Sequence, residues 1–126
     1  MNARALSCYR SVYVESAPPG DVLDQLLTKA LSCLDDAAAF TEAKNVKDKS
    51  ARVDRVLAIV GELSAALDHG AAPELTANLE RLYDFAAARV LESSAKGEVQ
   101  GFGEASRILK SVRDAFREAR GVRGQG

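Results

Sequence analysis

The chain has 126 residues, enough for one domain with its own hydrophobic core. Apolar residues make up 47% and charged residues 28%, with 17 Lys and Arg interleaved with 18 Asp and Glu; this excludes a disordered chain and argues against a nucleic-acid partner. No stretch approaches the ~18 consecutive apolar residues of a membrane span, and the N-terminal MNARALSCYRSVYVES carries no signal-peptide run, so no membrane insertion is expected.

The first short segment places Leu6, Tyr9 and Tyr13 at helical spacing. It is too short to hold a helix alone, so it is expected to cover apolar surface on the rest of the molecule. Pro18 and Pro19 break its continuity, because a residue before proline is biased away from helical dihedrals. The first long helix is predicted from about Gly20 to Glu42: Pro19 suits a first turn, Asp21 suits its positive end, and Leu23, Leu26, Leu27, Ala30, Leu34 and Ala37 share one stripe. The second is predicted to follow Asp48 as its cap, with Val53, Val56, Val60, Leu63 and Leu67 repeating at spacings of three and four until Gly70 stops it. The third begins at Pro73, carries Leu75, Leu79, Leu82, Ala86 and Val90, and ends at the Lys96-Gly97 break.

The fourth carries Phe102, Ala105, Leu109, Val112 and Phe116, widened by Ile108 and Ala115. Gly101 and Gly103 each cost about 1 kcal/mol against alanine inside a helix, which leaves its start open between Glu98 and Glu104. Its basic end, residues 113–123, suits the negative pole of a helix. Connections of about five, three and three residues force antiparallel neighbours. The fold class is therefore all-α: an antiparallel up-down four-helix bundle over residues 1–120, with the short N-terminal segment alongside and the Gly-rich 121–126 as a disordered tail.

The residues offer no catalytic constellation. Cys8 and Cys33 form no C-x-x-C pattern and read as small apolar groups in a reducing compartment. His69 is the only histidine, which excludes a multi-histidine metal site. Asp35 and Asp36 are adjacent on a helix and point about 100° apart, so they do not converge on one substrate. Gly101-Phe102-Gly103 lacks the strand and the further glycines of a phosphate loop. The expectation is a non-enzyme with no cofactor and no metal.

One block carries a family pattern. In ELTANLERLYDFAAARVLESS, residues 74–94, Asn78, Leu79, Leu82, Tyr83, Asp84, Phe85, Arg89 and Leu91 stand in the order N-L-x-x-L-Y-D-[YF], then a basic residue and an aliphatic. Upstream lie RVLAIVGELSAALD, with Ile59, Glu62, Leu63, Leu67 and Asp68, and a tyrosine, Tyr9, ahead of SAPPGDVL. From Tyr9 to Phe116 the chain resembles the flagellar secretion chaperone (FliS) family. It departs where the family usually has Tyr-Asp-Gly-Ala after Leu26, reading Leu27, Thr28, Lys29, Ala30 instead.

The resemblance implies a cytoplasmic export chaperone that binds the C-terminal region of flagellin, prevents premature polymerisation and aids delivery to the type III export apparatus, with export-gate components as further partners. The alternative is a non-catalytic homo-oligomeric helical-bundle adaptor, with a second copy of the chain as partner in a homodimer. The expected binding surface lies on the second and third helices around Val60, Leu63, Asn78, Leu79, Leu82 and Tyr83, with Tyr9 and Tyr13 from the N-terminal segment. Leu79, Leu82, Val60 and Leu63 also fit plain core positions. Asn78 is a mediocre helix residue beside an apolar stripe, so it calls for a hydrogen-bond partner in the bundle or on a client backbone. Tyr83 suits a groove edge or a core boundary.

Overall fold

A computed structural model describes residues 20–124 as four helices: α1 (Gly20–Glu42), α2 (Val46–Ala65), α3 (Pro73–Lys96) and α4 (Gln100–Gly124). The segment bearing Leu6, Tyr9 and Tyr13 lies outside the described residues. Among the described residues there is no strand. Each helix packs on two neighbours, α1 on α2 and α4, and α3 on α2 and α4, which closes the antiparallel bundle into a ring.

All four helices bury a seam that alternates steps of three and four. The seams are Leu23, Leu27, Ala30, Leu34 and Ala37 in α1; Val53, Val56, Val60 and Leu63 in α2; Leu79, Tyr83, Ala86 and Val90 in α3; and Phe102, Ala105, Leu109, Val112 and Phe116 in α4. A seam with that average period of 3.5 keeps facing its partner along the whole helix and favours shallow crossing angles. Residues from all four helices fuse into one core.

The helix ends differ from expectation in two places. The N-cap of α2 is Asn45, not Asp48: Asn45 Oδ1 accepts from the Asp48 amide at 3.2 Å, while Asn45 Nδ2 donates to Asp48 Oδ2 at 2.8 Å. The two side chains satisfy each other and an orphan amide, so the helix starts at Val46, two residues before Asp48. At its other end α2 stops at Ala65, well short of Gly70. Leu67 still buries its side chain, but its amide bonds Ser64 O, and Asp68 Oδ1 accepts from Gly70 N at 3.0 Å in a local turn. Apolar spacing thus outlives the helix by two residues. The connections are consequently residues 43–45, 66–72 and 97–99. α4 carries helical backbone to Gly124.

The α3–α4 turn is the tightest joint. Gly97, at φ 69°, supplies the left-handed residue that ends α3, and its amide reaches Ser93 O and Ser94 O. Buried Ser93 donates from Oγ to Glu98 O at 2.7 Å and accepts from the Gly101 amide at 3.0 Å. From α2, the largely buried Lys49 places Nζ 2.9 Å from Ser94 O and 3.0 Å from Ser94 Oγ, a cation against the negative end of α3.

Ion pairs stitch the helices from outside: Arg52 to Asp36 across α1–α2, Arg89 to Glu104 across α3–α4, and Arg117 to Asp24 across α1–α4. The last is bidentate, Arg117 Nε and Nη2 donating to the two Asp24 oxygens at 2.6 and 3.0 Å. The hydrogen bond from Arg117 holds the Asp24 carboxyl below its usual value, against a smaller opposing push from burial. A lowered folded pKa stabilises the fold above the unfolded value of about 3.9, and that contribution fades as pH falls through the lower folded value. Asp24→Asn is therefore expected to lose stability at neutral pH and to show a shallower acid limb below about pH 4, read from thermal melts against pH.

Candidate functional site on the third helix

α3 carries a second stripe beside its seam. Thr76, Leu79, Tyr83, Ala86, Val90 and Ser93 turn inward and are buried. One step back around the helix, Leu75 is half-buried, Asn78 is exposed, and Leu82 and Phe85 expose 39% and 53% of their surface. Together with Leu79 as floor and Arg81 and Asp84 at the rim, these side chains outline a concave surface of about 740 Å³. An exposed Leu is unremarkable alone, but a Leu and a Phe one turn apart over a concavity form a patch that water contacts unfavourably.

The sequence-predicted residues divide between these two stripes. Val60, Leu63 and Leu79 are core residues, as their stripe positions also allowed. Leu82 and Tyr83 exchange places: Leu82 faces out, and Tyr83, at 0% exposure, is among the largest fully buried side chains. The reason is geometric. From Leu79, Tyr83 lies about 40° around the helix and returns to Ala86, whereas Leu82 falls about 60° to the other side. Asn78 finds its partner on its own helix, accepting from Arg81 Nη2 one turn away. Tyr9 and Tyr13 lie outside the described residues.

Phe85 and Leu75 line the surface and were absent from the expected set. Their signal was present in the chain, since Phe85 sits three residues beyond Leu82 and off the three-four seam. His69 stands in the α2–α3 connection, its Nε2 3.9 Å from Glu80 Oε1. Among the described residues no group of His, Cys, Asp or Glu is arranged to hold a metal ion, and no helix is long and apolar enough to cross a membrane.

The family model for the flagellar protein FliS matches residues 1–123. The chain belongs to the FliS family. Flagellar secretion chaperone FliSB of Pseudomonas aeruginosa is 27% identical over 117 residues, covering 90% of this chain and 93% of the relative. The flagellar secretion chaperones FliS of Salmonella typhimurium and Escherichia coli are each 28% identical, covering 92% and 93% of this chain and 90% of each relative. As a FliS family member the chain is a flagellar secretion chaperone, a non-catalytic protein that works by binding.

Proposed function

We propose that this chain is a cytoplasmic export chaperone that captures the C-terminal region of flagellin, keeps it from polymerising prematurely and aids its delivery to the flagellar type III export apparatus. One observation supports this most: the bundle leaves Leu82 and Phe85 exposed one turn apart beside Leu75 and Asn78, over a concavity on α3. An amphipathic client segment laid along α3 would seat its apolar side chains on that stripe, and Asn78 would offer its amide to the client backbone. Leu79 forms the floor, with Val60, Leu63 and Tyr83 holding its shape from the core and Tyr9 and Tyr13 contributing from the N-terminal segment. Ordering the client costs about 2–5 kcal/mol, which two or three Leu-sized contacts of about 1.5–3 kcal/mol each offset.

The test is capture of full-length flagellin, and of flagellin truncated at its C-terminus, by the purified chain. Full-length protein is retained and the truncated form is not; equal retention of both overturns the assignment of the C-terminal region. In the same assay Leu82→Ser with Phe85→Ser is expected to weaken capture at least about tenfold, since hot-spot apolar anchors carry most of such an interface. Its unfolding free energy should stay within about 1 kcal/mol of the parent, because surface substitutions away from packed features cost little. Sedimentation of the chain alone separates this reading from the homodimeric adaptor, whose exposed stripe would close on a second copy by two-fold symmetry.

A further inference from the structure

The α1–α4 face is built differently from the α3 stripe and shares no residue with it. Two contiguous concavities, of about 490 and 390 Å³, run along this joint and meet at Thr28 and Ser32. On the α4 wall stand Ser106, Arg107, Lys110, Arg113 and Arg117; on the α1 wall, Lys29 adds a further cation. From Arg107 to Arg117 the groove is about 15 Å long at 1.5 Å rise per residue.

The acids on this face are largely committed or outnumbered. Asp24 is taken by Arg117 through two hydrogen bonds, and Glu104, the acid nearest Arg107 in the chain, is taken by Arg89. That leaves Asp35 and Asp114 beside Lys29, Arg107, Lys110 and Arg113. The Arg107 and Lys110 side chains are exposed, and neither donates a hydrogen bond among the described residues. Arg113 donates from Nη1 to Thr28 Oγ1 at 3.1 Å, while its Nε is buried with no hydrogen-bond acceptor; Asp114 Oδ1 stands 4.0 Å away. A buried guanidinium donor without an acceptor is uncommon in a settled fold.

We infer that the α1–α4 groove is a second docking surface, which takes an acidic segment of a partner protein along Arg107, Lys110 and Arg113. Carboxylates at successive turns of such a segment meet the cations, and the hydroxyls of Thr28, Ser32 and Ser106 supply the remaining donors. Nucleic acid fits less well. The lining has no aromatic side chain on which a base could stack, and the whole chain carries a net charge of -1. The surface is local to one face of an otherwise balanced molecule.

The probe is a fluorescein-labelled peptide of about twelve residues, rich in Glu with interspersed Ala and Leu, titrated into the full chain by anisotropy. Saturable binding is expected, and it should weaken steeply between about 50 and 500 mM salt as the charges are screened. Arg107→Glu with Lys110→Glu should lower affinity at least about tenfold, because opposed charges become like charges. Lys44→Glu with Lys47→Glu carries the same change of net charge on exposed positions elsewhere and should lower it about twofold or less. Helical circular dichroism of both variants confirms folding. The inference fails if the peptide does not saturate, if the two variants weaken binding equally, if a Lys-for-Glu peptide binds as well, or if a short oligothymidylate binds more tightly.

Discussion

Gly101→Ala is expected to destabilise the bundle by about 2–4 kcal/mol, while Gly103→Ala, two residues along the same helix, should stabilise it by about 0.5–1 kcal/mol. Both glycines lie in the first turn of α4, and helix propensity alone makes both substitutions favourable. Their surroundings separate them. A Cβ on Gly101 would stand 2.3 Å from the Arg89 carbonyl oxygen and 2.7 Å from Ser93 Cβ, whereas one on Gly103 meets nothing within 4 Å. The first obstacle is backbone inside a helix, so the methyl is accommodated only if α3 and α4 move apart. That movement would pull the Gly101 amide from Ser93 Oγ, losing a buried hydrogen bond worth about 1 kcal/mol on top of the overpacking cost. Urea unfolding followed by helical circular dichroism reads both numbers. Equal stabilisation by the two substitutions would show that the joint yields freely.

Tyr83→Ala should cost about 3–5 kcal/mol, a large part of the stability of a domain this size. The ring is fully enclosed by a core that draws on all four helices, so truncation leaves a cavity its neighbours fill only partly. Phe85→Ala, two residues later and 53% exposed, should change stability by no more than about 1 kcal/mol. Comparing the pair in denaturant and in flagellin capture distinguishes a residue that supports the surface from one that forms it. A Tyr83 variant that stayed fully stable would place the ring outside the core.

Much of this architecture is legible in the chain because punctuation and periodicity agree. Gly20 and Glu42 bound α1 as expected, where Pro19 and Asp21 mark the start and a three-four stripe runs unbroken. Pro73 and Gly97 bracket α3 for the same reason. Reading failed where a tertiary or capping contact decides. Asn45 and Asp48 cap reciprocally, which only the folded geometry distinguishes from a cap at Asp48 alone. Gly101 resembles a helix breaker in one dimension and is a close-approach residue in three. At the site, Leu82 and Tyr83 are neighbours in sequence, and a shift of one position exchanges seam for surface.

The order of neighbours in the ring also sets how the molecule assembles. α1 with α2, and α3 with α4, are hairpins closed by three-residue connections, so their contacts form with little loss of loop entropy. The α1–α4 joint is of another kind, bringing together residues as far apart as Asp24 and Arg117. It is the helix pairing of greatest separation along the chain and gains nothing from local proximity, so its loop-closure cost is the largest of the four. Both Asp24 and the cation-lined groove reside on that joint, so the groove exists only where the two hairpins have met, whereas the stripe on α3 belongs to a single helix.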